Sequence, residues 1–342
     1  METDLPLREK RAMLLRSSLP LVPASFFSIA LGLLGLGLAW RTAARAWNLP
    51  PIAGEVVLAS GIAVWAVVAL LYAAKWLFDH TQALAEFEHP IHSCFIGLAP
   101  VTSLLVGLAT APYSQPLAIA LFGLGASGVV SFAVYHTGRL WRGEQDASSV
   151  TPSLYLPTVA GGFVIAIAAS GLGWQDWGRF AFGAGLFSWL AIESVLLHRL
   201  YAGTAFPAAL RPVLGIQLAP PSVAALAYLS IESGVPDIFV QGLIGYAILQ
   251  ALVLLRLLPW ITAQPFAPPY WSFSFGAAAL ASAAAGLAER DSAGAIAELA
   301  PWLFIAANLL ILLLAAKTLA LLVMGKLLPA RAASTAVARA RL

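Results

Sequence analysis

Pro268-Pro269-Tyr270-Trp271-Ser272-Phe273-Ser274-Phe275-Gly276 opens an apolar run that continues, rich in alanine, to about residue 288. Prolines do not fit inside a straight spanning helix, because each lacks the N–H of the i→i−4 ladder and frees a carbonyl that hydrocarbon cannot satisfy. Such a break survives where the backbone faces protein or water. Phe275 is followed by Gly276 and small residues, which leaves room for its ring to project into a narrow lumen and close it by dewetting or by blocking it. The competing reading of Tyr270, Trp271, Phe273 and Phe275 is an aromatic belt at the membrane interface.

This stretch is one of ten. Apolar segments lie at about 19–40, 54–77, 91–110, 114–138, 155–174, 178–200, 210–231, 236–258, 269–288 and 300–324, and a spanning helix needs about 20 such residues. Of the 342 residues, 60% are apolar and 10% are charged, against about 45–50% and 25% in a soluble domain. A soluble globular protein is therefore excluded. The separators, such as Arg142-Gly143-Glu144-Gln145-Asp146 and Glu289-Arg290-Asp291-Ser292, carry turn signals and are too short to be domains. The chain divides into a leader at 1–18, a ten-helix domain at 19–325 and a tail at 326–342. The first apolar stretch runs on into Trp40-Arg41. It exceeds the 7–15 residues of a secretory h-region and reads as a retained span.

The odd-numbered spans carry proline inside or near their start: Pro20 and Pro23, Pro100, Pro157, Pro220 and Pro221, and Pro268 and Pro269. The even-numbered spans carry it only at their edges, as at Pro236 and Pro301. The odd spans are thus expected on the inside. The expected fold is an all-α integral membrane protein of ten transmembrane helices, arranged as five helical hairpins. An inner ring of proline-kinked odd helices would surround a central pore, with an outer ring of even helices. The pore-lining or helix-kink candidates are Pro23, Gly32, Gly97, Pro100, Pro157, Gly161, Gly215, Pro220 and Gly276, although small residues also serve close helix packing.

Charge placement orients the chain, since cytoplasmic loops accumulate Lys and Arg. With both termini inside, fifteen of the basic residues fall on the inner side and four, Arg41, Arg45, Arg179 and Arg290, on the outer side. All five histidines also fall near the inner face. A net charge of +3 with no basic run among stacking aromatics points to no nucleic-acid partner. Cys94 alone excludes an intrachain disulfide.

Motifs for chemistry are sparse. Gly123-Leu124-Gly125-Ala126-Ser127-Gly128 fits GxGxxG but lies inside an apolar span, where it reads as helix packing. Glu86-Phe87-Glu88-His89-Pro90-Ile91-His92 reads as an interfacial loop, with pH sensing as the sharper alternative. No metal and no cofactor is expected, and neither a nucleophile elbow, a P-loop nor HExxH points to an enzyme. Glu193, deep in the sixth span, needs a partner from another helix because His198 and Arg199 lie off its face. Structural hydrogen bonding and proton coupling are its two readings. Lys317 can snorkel to the inner interface.

Taken together, Thr151-Pro152-Ser153-Leu154-Tyr155-Leu156-Pro157, Phe187-Ser188-Trp189-Leu190 with Glu193-Ser194, Leu210-Arg211-Pro212 through Leu218-Ala219-Pro220-Pro221, and Trp271 to Gly276 resemble the TehA family. These are bacterial tellurite-resistance and dicarboxylate-transporter homologues of the plant guard-cell slow anion channel. The resemblance runs from the first span to the tenth. It implies five hairpins around a pore lined by the odd helices, a homotrimer with one pore per subunit, and a phenylalanine of the ninth helix, matched by Phe275, that occludes the pore. The plant members' regulatory phosphorylation in long tails does not carry over.

The expected activity is a gated channel for small monovalent anions in the bacterial inner (cytoplasmic) membrane. The alternative is a secondary transporter of dicarboxylates or tellurite-related anions, coupled to protons through Glu193 or the inner-face histidines. The expected partners are small inorganic anions or carboxylates, the lipid bilayer and two further copies of the chain.

Overall fold

The computed structural model describes residues 20–143, 146, 149–291 and 293–328. The leader and the tail beyond Leu328 lie outside the described residues. Among those described, ten helices are long and apolar enough to cross a membrane: α1 (Ala24–Trp47), α2 (Ile52–Phe78), α3 (His92–Thr110), α4 (Gln115–Leu140), α5 (Pro152–Gly171), α6 (Gln175–Ala202), α7 (Ala208–Ile231), α8 (Ile238–Ile261), α9 (Pro268–Arg290) and α10 (Ala295–Val323).

Burial separates them into two layers. In their most apolar windows the odd helices have 61–78% of residues buried and the even helices 17–28%. The odd helices close a ring in the order α1, α3, α5, α7, α9 and back to α1, and each even helix packs outside the ring against its hairpin partner. Exposed apolar side chains such as Leu70, Val134, Phe187 and Leu309 belong to the even helices.

Each odd helix begins in a non-α conformation. Short 3₁₀ segments, Ala24–Phe26, His92–Gly97, Ala208–Leu218 and Pro268–Trp271, precede the α-helical parts of α1, α3, α7 and α9. In α5 a 3₁₀ turn, Pro152–Leu154, leads into a π-helical segment, Leu156–Ala160. The prolines account for this locally. Pro220 has no N–H to give the carbonyl of Ile216, and that carbonyl instead accepts from Ala219 N in the tighter i→i+3 pattern.

Several expectations need correction. The first helix runs to Trp47 and not to Trp40, so Arg41 and Arg45 are helical. Arg41 finds partners there: its guanidinium pairs with Glu55 at 2.7 Å and donates to the last carbonyls of α3, Ala109 O at 2.9 Å among them. The even helices do contain proline, with Pro259 in the last turn of α8 and Pro301 in the second turn of α10. The segment before α3 is not all loop, since His80–Glu88 forms a short helix from good helix formers. The belt reading of the ninth span also fails, because Tyr270, Trp271, Phe273 and Phe275 are all buried.

Candidate functional site: a central cavity inside the ring of odd helices

The ring of odd helices encloses a cavity of about 30 Å³, which holds about one water. Every odd helix contributes to its wall, through Leu31, Phe95, Val159, Val223 and Phe275 among others, and among the described residues no even helix does. The wall lies where the irregular starts become α-helix: Leu98, Ala160, Ala219 and Ser272 sit at these junctions and line the cavity. The N–H groups at these junctions are already bonded within the preceding turn, Leu98 N to Phe95 O, Ala219 N to Ile216 O and Ser272 N to Pro269 O, so the positive ends of the helices lie at the starts of the 3₁₀ segments.

Among the described residues no charged side chain lines the cavity. Its polar side chains, Ser28 and Ser272, both turn their protons away: Ser28 Oγ donates to Ser25 O at 2.6 Å and Ser272 Oγ to Pro212 O.

Phe275 is held on two sides. Its ring lies against Gly35 of α1, where a Cβ would meet Cδ2 at 2.9 Å. The next residue, Gly276, is pressed to the backbone of α7, where a Cβ would stand 2.8 Å from Ala219 N. Gly32 of α1 faces Ser274 and Trp271, and Gly215 of α7 faces Phe273 and Ser272. Glycines on both neighbours therefore seat the segment from Trp271 to Gly276. The indole of Trp271 ties it outward as well, with Nε1 donating to Thr318 Oγ1 of α10 at 2.8 Å.

The sequence candidates thus fall into groups. Phe275 and Pro220 are on the cavity wall. Pro23 lines a second cavity of about 450 Å³ at the face where the odd helices begin, together with Phe26, Pro268 and Leu327–Leu328. Gly32, Gly215 and Gly276 seat α9. Gly97 packs on Phe132 and Pro157, Pro100 faces Gly125 and Gly128 of α4, and Gly161 faces Val129 of α4. The GxGxxG stretch is helical within α4.

Other singled-out groups also find places. Glu86 Oε2 accepts from Lys75 Nζ at 2.6 Å, and its Oε1 accepts from Ala24 N at the start of α1 at 2.8 Å. His89 and His92 stack with ring centroids 3.9 Å apart. Lys317 Nζ sits over the Phe266 ring at 5.6 Å. Glu193 accepts from three donors, the Tyr155 hydroxyl of α5, Trp189 Nε1 of its own helix at 3.0 Å and the Tyr246 hydroxyl of α8 at 2.7 Å. The sequence reading missed Gly35 as the seat of Phe275, although it lies three residues from Gly32 on the same helix face.

The family described as SLAC1, voltage-dependent anion channel, matches residues 22–319. The chain is 36% identical over 264 residues to a tellurite resistance protein TehA homolog of Haemophilus influenzae, covering 77% of this chain and 80% of that protein. It is 29% identical to the S-type anion channel SLAH4 of Arabidopsis thaliana, covering 66% and 63% of the two chains. It is 25% identical to the guard cell S-type anion channel SLAC1 of the same plant, covering 79% of this chain and half of that one. A closed ring of five inner helices, matched along its whole length by this family, is a multi-pass membrane protein and no enzyme: the chain belongs to the SLAC1/TehA family of anion channels and transporters.

Proposed function

We propose that this protein is a gated channel that passes small monovalent anions through the ring of odd helices, with Phe275 as the plug. The observation that carries the reading is the position of the Phe275 ring on the wall of a central cavity too small for a hydrated ion. The apolar wall supports channel over carrier, because among the described residues no titratable group lines this cavity, and Glu86, His92 and Lys326 line only the wider cavity at the face where the odd helices begin. A constriction without fixed charge binds anions weakly and ranks them by dehydration cost, so selectivity is broad. The positive ends of the odd helices, at the face where they begin, favour negative charge, and the basic residues of that face raise the local anion concentration.

That basic face is cytoplasmic in this reading, the membrane is the bacterial inner membrane, and the chain assembles as a trimer with one pore per copy. Charge placement supports the orientation, and the family resemblance supports the trimer. The test is Phe275→Ala in planar bilayers. Current rises at least tenfold while helical content is retained, and the current–voltage relation is ohmic in chloride and nitrate. Unchanged current from folded protein overturns the plug assignment, and a saturating, proton-driven flux returns the chain to the carriers.

A further inference from the structure

Glu193 stands in the apolar body of α6, and it joins no ion pair among the described residues. A carboxylate at such depth costs at least about 2.5–3.5 kcal/mol, so what it holds is informative. Its two oxygens take the Tyr155 hydroxyl, the Trp189 indole and the Tyr246 hydroxyl, which bind α6 to both α5 and α8.

The bond to Tyr155 reaches the pore wall within one residue. Tyr155 is 1% exposed, and the π-helical segment Leu156–Ala160 follows it directly. Leu156, Val159 and Ala160 of that segment line the central cavity with Phe275. Pro157, with no N–H to give, opens the α ladder here, and a π turn, less favourable than the α turn it replaces, persists where its ends are also held. Here both ends are held by α6. Tyr155 is fixed on Glu193, and Gly162, just past the turn, lies so close to Gly185 that a Cβ would stand 2.8 Å from Gly185 Cα. The two anchors bracket the turn, and neither touches the lumen.

We infer that Glu193 is a positioning residue of the pore, which by holding the Tyr155 hydroxyl keeps Leu156–Ala160 in its π form and so sets the shape of the cavity wall shared with Phe275. Relaxation to an α turn shifts the register between the anchors by one residue and rotates Leu156 and Val159 about the helix axis by roughly 100°. The lumen then has a different cross-section although no lumen residue has changed. This inference rests on the channel reading for its functional consequence and on local geometry for its structural one.

The experiment uses the whole 342-residue chain and three variants, Tyr155→Phe, Glu193→Gln and, as a control on the same helix, Ser194→Ala, whose hydroxyl bonds to Ala191 O. Hydrogen exchange of the amides at 156–161 is followed by mass spectrometry, and each variant is also combined with Phe275→Ala for bilayer recording. Tyr155→Phe and Glu193→Gln speed exchange of that segment at least tenfold while α3 and α9 keep their rates, and they shift the nitrate-to-chloride permeability ratio several-fold. Ser194→Ala does neither. Unchanged exchange at 156–161 overturns the inference, and so does a uniform rise over all ten helices, which assigns Glu193 to overall stability. Should Phe275→Ala carry no current in any background, the channel reading fails, and the exchange result still decides whether Glu193 holds the turn.

Discussion

The ring of Phe275 lies in van der Waals contact with the backbone of Gly35, so that a methyl group at residue 35 would stand 2.9 Å from Cδ2 and 3.3 Å from Cε2. Phe275 of α9 is therefore seated on α1. Gly35→Ala takes away the seat, and Ala278, whose Cβ would be 3.3 Å away, blocks a simple slide along the helix. Basal anion current is expected to rise several-fold in this variant. In a Phe275→Ala background the same substitution adds nothing, because the ring it displaces is gone. Additive effects of the two changes in bilayer recordings would show that Gly35 acts by another route.

Gly276 makes a different prediction from its neighbour. Its Cβ would meet Ala219 N at 2.8 Å and the Leu218 carbonyl carbon at 3.0 Å, and backbone atoms at a helix junction cannot step aside. Gly276→Ala pries α9 from α7 at an overpacking cost of about 1–3 kcal/mol. Gly123→Ala in α4, where nothing lies within 4 Å, serves as the control. It gains up to about 1 kcal/mol of helix propensity. Thermal unfolding in detergent should separate the two by several degrees, with Gly276→Ala the lower.

The difference between these glycines marks what the sequence could reveal. The two-layer plan was legible because proline advertises its defect locally: the lost N–H of Pro100, Pro157 or Pro220 has to be accommodated wherever the helix packs, and apolar length marks the spans. Gly35 and Gly276 carry no such mark. Their role depends on which helix lies opposite and how each is rotated, which are properties of the closed ring. The partners of Glu193 were hidden for the same reason, since Tyr155 and Tyr246 lie 38 and 53 residues away in sequence. The helical extension of α1 past Trp40 was obscured because Arg41 ends the apolar run, while the structure gives that arginine an acid and the carbonyl end of α3.

Lys75 and Glu86 predict a strong coupling. Their side chains are 7% and 9% exposed, and the carboxylate also accepts from Ala24 N, so the pair ties α2 and the short helix His80–Glu88 to the start of α1. Removing one member of a buried pair strands the other and costs about 3–5 kcal/mol, whereas replacing both by apolar residues is often close to neutral. Glu86→Leu and Lys75→Met should each lower thermal stability markedly, and the double variant should recover most of the loss. Because Glu86 also lines the cavity at the basic face, single-variant current is measured alongside. Two independent, additive losses of stability would show that the pair is not coupled.

Asp237 gives the pH dependence a definite sign. It precedes α8, with Oδ2 accepting from the Tyr228 hydroxyl at 2.5 Å and Oδ1 from Phe239 N and Val240 N, both at 3.1 Å. The Tyr228 hydroxyl first, and the backbone N–H groups after it, hold this carboxyl below its ordinary value of 3.8. A carboxylate whose pKa is lower folded than unfolded contributes stability that is fully present above the unfolded value and is lost as pH falls through the folded one. The contribution is therefore constant from neutral pH down to about pH 5 and fades below about pH 4, as protonation removes the charge that both the tyrosine and the helix N-terminus favour. Asp237→Asn keeps an acceptor oxygen for the cap but cannot titrate. Its unfolding midpoint in detergent should start below that of the parent protein at pH 7 and fall less between pH 5 and pH 3, so that the two curves converge with acid. Parallel curves over that range would mean that the acid loss arises at other carboxylates.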